Sequence, residues 1–198
     1  MDLNAEYDYS IKLLIIGDSC VGKSNYIIRL IHDQFNKEYL ASVGLELKRS
    51  EIIINNKKIQ LQIWDTAGQV KYKAVTKSLF SKVQGFIAMF DLTKGESFEN
   101  IKNTIKSIKN ECGEHTPIIL VGNKNDKNER EVSEHDIKSY ISMEKLNYIE
   151  TSSKTGENIK KSINIICNEI MEKNIFIRNA SFSLDSSQLI EKKKRKCC

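Results

Sequence analysis

Residues 10–24 read SIKLLIIGDSCVGKS. The opening SIKLLII is an almost continuous apolar run, the pattern of a strand buried on both faces. It breaks at Gly17 into G-x-x-x-x-G-K-S, with Gly17, Gly22, Lys23 and Ser24 at the required positions. SNYIIRLIHD at 24–33 then turns to helical periodicity. A buried strand, a glycine loop and a helix in that order make a phosphate site. The backbone N–H groups from Ser19, Cys20 and Val21 through Gly22, Lys23, Ser24 and Asn25 are expected to face the phosphate oxygens, helped by the positive end of the helix. Gly22 lets the backbone approach closely, Lys23 supplies a cation for the outer phosphates, and the Ser24 hydroxyl is a ligand for Mg2+. Cys20 reads as a small tolerated side chain, because bound phosphates oppose a thiolate there.

Outward from this stretch the pattern repeats. GFIAMFD at 85–91, PIILVGN at 117–123 and NYIET at 147–151 are further strands. Helical stretches lie between and after them at 97–112, 133–145 and 157–173, and Ile101, Ile105 and Ile108 share one face of the first of these. Alternating strands and helices predict a doubly wound α/β fold with a mostly parallel sheet. LELKRSEIIINNKKIQLQIW at 45–64 departs from that rhythm. Apolar and polar residues alternate on either side of Asn55 and Asn56, which predicts a β-hairpin and one antiparallel edge strand. From about residue 174 the periodicity stops, so the expected organisation is a folded domain at 1–172 and a tether at 173–198.

The chain has 198 residues, enough for one domain with a real core, and a formal net charge of +5. Residues 173–198 hold seven cations, Lys173, Arg178, Lys192, Lys193, Lys194, Arg195 and Lys196, against Asp185 and Glu191, so the whole excess sits in the tail. A domain with no net charge gives no support to nucleic-acid binding. Cysteines at 20, 112, 167, 197 and 198 show no C-x-x-C spacing, which argues against a disulfide framework or zinc site and for a reducing, cytosolic compartment. Cys112 and Cys167, on helical stretches, read as small core residues, and His32, His115 and His135 show no ligand spacing. The apolar run near the N-terminus is too short for a signal segment or a membrane span.

Three further motifs fall at strand ends, where open α/β sheets bind ligands. NKND at 123–126 places a carboxylate, Asp126, to accept hydrogen bonds from N1 and the exocyclic amino group of guanine. Adenine offers no donors there and would leave the charge unpaired, so guanine is expected. Asn123 is expected to orient the loop and the stem of Lys124 to cover the ring. Taken alone, NKND also reads as a polar surface turn. DTAG at 65–68, followed by Gln69, supplies Asp65 for Mg2+ through water, the Gly68 N–H for a γ-phosphate, and Gln69 to orient an attacking water. ETSSK at 150–154 supplies the Ser153 N–H for guanine O6 and Lys154 to stack on the base.

Together GDSCVGKS, LQIWDTAGQ, NKND, ETSSK and the two terminal cysteines resemble the small GTPases of the Ras superfamily, specifically the Rab family, over about residues 9–172 and the terminus. The resemblance implies a P-loop NTPase G domain: a six-stranded, mostly parallel sheet with one antiparallel edge strand, flanked by five helices. It implies GTP and GDP as ligands, Mg2+ held by Ser24, Ser42 and Asp65, slow hydrolysis through Gln69 and Lys23, and switch segments near 33–47 and 65–80. It also implies a monomer that meets effectors, an exchange factor, an activating protein and GDI-type escorts for its prenyl groups, on the cytoplasmic face of an intracellular membrane with a cytosolic pool. The sequence departs from the family at Ser42, where Thr is usual, and at Val70, where Glu is usual. The three aromatic effector positions become Leu47, Trp64 and Leu79, which predicts a more aliphatic effector surface unless Leu47 and Leu79 only pack the hairpin.

The chain ends KKKRKCC. A nuclear or nucleic-acid address explains the cations but not the cysteines, and a metal clip needs more ligands than two neighbours offer. Rab-like chains with this ending are geranylgeranylated on both cysteines, which here implies Cys197 and Cys198. Two chains beside five cations satisfy the two-signal requirement for stable anchoring. Two rival readings stand beside the GTPase: a nucleotide-loaded recruitment module with negligible hydrolysis, and a P-loop kinase for a small acceptor.

Overall fold

The computed structural model describes residues 7–36, 45–66 and 78–173. Ser42, Gly68, Gln69, Val70, Cys197 and Cys198 lie outside the described residues. The elements in chain order are β1 (Tyr9–Ile16), α1 (Lys23–His32), β2 (Leu45–Ile54), β3 (Lys57–Thr66), a short 3-10 turn (Phe80–Lys82), β4 (Gly85–Asp91), α2 (Gly95–Cys112), β5 (Ile118–Asn123), α3 (Glu134–Glu144), β6 (Asn147–Thr151) and α4 (Ile159–Glu172). Four α-helices are therefore seen among the described residues, against the five implied.

The six strands form one sheet in the order β2-β3-β1-β4-β5-β6. Only β2 with β3 is antiparallel. The hairpin turns at Asn55 and Asn56, whose φ angles of 51° and 60° are both left-handed, as a two-residue type I′ turn requires.

The continuous apolar runs are explained by helices on both faces. Leu13 and Ile15 of β1, with Ile87, Met89, Ile119 and Val121, pack under Tyr26 and Ile27 of α1 and Ile163, Ile166 and Ile170 of α4. Leu14 and Ile16, with Phe86, Ala88, Phe90 and Leu120, pack on the other face against Ile101, Ile105 and Ile108 of α2 and Ile137 of α3. Alternate residues of each central strand thus enter opposite cores, and polar side chains are confined to strand ends, Ser10 and Lys12 at the start of β1 and Asp91 and Asn123 at the ends of β4 and β5.

Two local expectations are corrected. The helix expected from residue 97 starts at Gly95, because Ser97 lies inside its first turn: Ser97 Oγ accepts from the Asp91 N–H (3.0 Å) and donates to the Lys94 carbonyl (2.7 Å). Cys112, expected in the core, is exposed at the end of α2, whereas Cys167 is buried in α4. Cys112 keeps the face of Ile101, Ile105 and Ile108, but it ends the helix in a turn that the core does not cover. Helix α3 is capped by Ser133, whose Oγ accepts from the Asp136 N–H at 3.1 Å.

Candidate nucleotide site

Because β3, β1, β4, β5 and β6 run parallel, their carboxyl ends open on one edge of the sheet. The registers align Asp91 with Asn123 and Asn123 with Thr151. Strand order reverses around β1, so the loop after Ile16 emerges at the crevice where such sheets bind ligands.

That loop is held by two close approaches. Gly17 has φ 147°, and a Cβ there would stand 2.1 Å from the Met89 carbonyl oxygen of β4. Gly22, the residue before α1, has φ 106°, and a Cβ there would stand 2.3 Å from Asn123 Nδ2. Both positions need the missing side chain for space as well as for dihedral freedom. Lys23 is 5% exposed. Its Nζ donates to the carbonyls of Gly17 (2.9 Å) and Asp18 (2.6 Å). Burial pushes this ammonium down to about 8, against the attraction of Asp65 and Asp18. A desolvated cation folded over the loop is a ready partner for an anionic ligand.

Ser24 follows on the first turn of α1. Its Oγ donates to Asp65 Oδ2 at 2.7 Å. Asp65 is buried near the end of β3, opposite Ile15 of β1, and the adjacent Thr66 Oγ1 donates to the Ile15 carbonyl at 2.8 Å. A hydroxyl and a carboxylate beside the phosphate loop are the hard oxygen donors that Mg2+ prefers, so the donor set fits the implied ion.

Asn123, at the end of β5, joins the phosphate loop to the loop after β6. Its Nδ2 donates to the Val21 carbonyl at 2.9 Å. Its Oδ1 accepts from the Ser153 N–H (3.1 Å), Ser153 Oγ (3.2 Å) and Thr151 Oγ1 (3.2 Å). The Ser153 N–H, expected for guanine O6, is therefore already engaged and would be shared with a base. Lys124 Nζ pairs with Asp91 (2.6 Å) and donates to the Cys20 carbonyl (2.8 Å), which stretches its stem along the site. The Asp91 carboxyl is held below the usual range: burial alone would raise it, but Lys124 and Thr93 outweigh that effect. Asp126 accepts from Ser152 Oγ at 2.6 Å and lies 3.7 Å from Lys154 Nζ.

These groups border a cavity of about 430 Å³, within the size range of small-molecule sites. Of the expected residues, Cys20, Gly22, Asn25, Asn123, Lys124, Asp126, Ser153 and Lys154 line it, whereas Ser19, Val21, Lys23, Ser24 and Asp65 do not. Phe35 lines it too, and sequence reasoning missed that residue. A lone aromatic between polar neighbours carries no periodic signal. The larger groove between α2 and α3, about 1560 Å³, contains none of the predicted residues.

Of the expected effector positions, Leu47 on β2 faces Trp64 on β3 in register, and both are partly buried. Leu79 is only 7% exposed and joins the core under α2. His32, His115 and His135 are exposed. No helix among the described residues is long and apolar enough to cross a membrane.

Residues 12–172 match the Ras family. The chain is 37% identical to the GTP-binding protein ypt3 of Schizosaccharomyces pombe over 166 residues, 83% of this chain and 78% of that one. It is 35% identical to Ras-related protein Rab-27B of Homo sapiens over 182 residues, 86% of this chain and 84% of that one. It is 37% identical to Ras-related protein Rab-13 of Mesocricetus auratus over 182 residues, 91% and 90% of the two chains. With the phosphate loop, the NKND turn and the ETSSK loop gathered on one cavity and this similarity running the length of the domain, the chain belongs to the Ras family and is a Rab-type small GTPase.

Proposed function

We propose that this GTPase alternates between GTP and GDP states in the cavity at the carboxyl edge of the sheet. In the GTP state it recruits effectors to an intracellular membrane for vesicle trafficking. The observation that supports the site most strongly is the meeting of three separate motifs through Asn123, which touches Val21 of the phosphate loop and Ser153 of the last loop at once. In this reading the amides of residues 19–25 hold the phosphates and Lys23 leaves the Gly17 and Asp18 carbonyls for the β- and γ-oxygens. Asp126 reads the guanine N1 and amino donors, Ser153 meets O6, and Lys124, Lys154 and Phe35 cover the base.

Hydrolysis is attack of water on the γ-phosphorus with departure of GDP on the opposite side. Gln69 orients the water, and Lys23 and the Gly68 N–H stabilise charge on the transferred group. Ser24, Ser42 and, through water, Asp65 would hold Mg2+, which would supply neutralisation of charge on the phosphate oxygens. The sequence offers no evident internal arginine finger, so turnover is slow until an activating protein supplies one. Leu47 and Trp64 form the effector surface, with Leu79 in the core cluster on which Trp64 packs. The domain is residues 1–172. Residues 173–198 tether it, with Cys197 and Cys198 prenylated and the basic run against an anionic cytoplasmic leaflet. GDI-type escorts maintain a cytosolic pool of the monomer.

The test uses base exchange at Asp126. The wild-type chain binds GDP tightly and ADP and XDP weakly. Asp126→Asn replaces an acceptor by an amide that also donates, which loses GDP and gains XDP. Unchanged preference in the variant would overturn the assignment of the base site.

A further inference from the structure

Arg29 lies on α1 behind the cavity and does not line it. Four of its five N–H donors are nonetheless committed to the end of α1 and to the loop after β6, both next to or within the cavity lining at Phe35 and at Ser153 and Lys154. Nε donates to the Ser153 carbonyl (3.1 Å) and Nη2 to the Lys154 carbonyl (2.6 Å). Nη1 donates to the Asp33 carbonyl (2.7 Å) and to Asp33 Oδ1 (3.1 Å). Asp33 ends α1 in a left-handed conformation with its N–H on the Arg29 carbonyl, and Phe35 follows two residues later. A Cβ on Gly156 would stand 3.4 Å from Arg29 Cδ, so the stem also packs beneath the loop after β6.

The side chain is 15% exposed and Asp33 is 84% exposed, so the ion pair itself contributes little. What matters is the fork. A planar guanidinium directs donors to three backbone carbonyls in two loops at fixed angles, which an ammonium cannot do. We infer that Arg29 is a positioning residue that clamps the Ser153–Lys154 wall to the Asp33–Phe35 wall and thereby sets how long the cavity retains guanine nucleotide. The inference rests on the reading of that cavity as the base site.

The same carbonyls meet only water when the clamp is removed, and the two walls then separate independently. Escape of the base needs one wall to move, so the clamp acts on dissociation more than on encounter. It also ties base retention to the corner from which the segment after Phe35 departs, where Asn25 Oδ1 accepts from the Asn36 N–H at 3.1 Å.

The full chain is loaded with fluorescent GDP and Mg2+, and dissociation is followed after addition of excess GDP. Arg29→Ala is expected to raise the dissociation rate by about tenfold or more, the factor available from one lost charge-assisted hydrogen bond. Arg29→Lys, which keeps the charge and the stem without the fork, exceeds wild type by more than about twofold yet stays below alanine, whereas a loss of packing alone would leave it near wild type. Asp33→Asn, which removes the exposed charge and keeps a residue tolerated in left-handed backbone, stays within about twofold of wild type. Should Arg29→Ala fail to fold, Arg29→Gln and Arg29→Lys carry the comparison. Dissociation from Arg29→Lys or Arg29→Gln within about twofold of wild type, or an Asp33→Asn effect equal to theirs, would overturn the clamp. A wild-type chain that does not retain the GDP probe would instead overturn the nucleotide reading, and the clamp with it.

Discussion

Gly22→Ala places one methyl group at the point where the phosphate loop and the base loop meet. The backbone there has φ 106° and ψ 17°, outside the regions an alanine adopts without strain, at a cost of about 1–3 kcal/mol. The new Cβ would also stand 2.3 Å from Asn123 Nδ2, so Asn123 has to retreat. Retreat breaks the 2.9 Å bond to the Val21 carbonyl, and an orphaned buried amide adds about 1–3 kcal/mol. The loop relieves both costs by leaving the conformation that holds phosphates. Affinity for GDP should therefore fall by at least about a hundredfold, or roughly 2.7 kcal/mol, measured by titration of the nucleotide-free chain. Asn123→Ala removes the obstruction, so the double variant should lose less than the sum of the two singles. A Gly22→Ala chain that folds and binds GDP within about fivefold of wild type would refute the reasoning, since neither strain nor displacement would then be present.

Tyr26 Oη and Ser162 Oγ bond at 2.5 Å in the core between α1 and α4, and Ser162 also donates to the Ile159 carbonyl. Tyr26→Phe should lower unfolding stability by about 1 kcal/mol in urea denaturation, with little further loss on adding Ser162→Ala. Glu150 is held below its ordinary value: burial opposes this, but hydrogen bonds from Arg130 (2.6 and 3.0 Å) and Tyr148 (2.8 Å) outweigh it. A carboxyl depressed in the folded state stabilises above its unfolded pKa of 4.5 and loses that contribution as pH falls through the folded value. Glu150→Gln should therefore flatten the acid side of the stability profile below about pH 4.5 while lowering stability at neutral pH, as read by thermal midpoints across pH.

Burial on both faces made most of the sheet legible. β4 and β6 occupy the spans 85–91 and 147–151 that their apolar runs outline, and the NN turn fixes the hairpin. The site motifs were legible for a related reason: phosphate and base recognition demand particular residues at particular strand ends. What was hidden depends on distance in sequence. Arg29 spends its donors on carbonyls more than a hundred residues away, and a carbonyl leaves no mark on residue identity. The pressure of Asn123 on Gly22 appears only once β5 lies beside β4 and β4 beside β1. Phe35 was missed because its role depends on where α1 ends. Cys112 was misplaced because a helical period says nothing about which turn emerges from the core.

The most direct measurement is single-turnover hydrolysis by the full chain loaded with GTP and Mg2+, beside Gln69→Leu. Slow formation of GDP and phosphate in the wild type, abolished in the variant, is the predicted result. Tight GTP binding with no turnover in either chain would contradict the hydrolytic cycle and leave a constitutively loaded recruitment module.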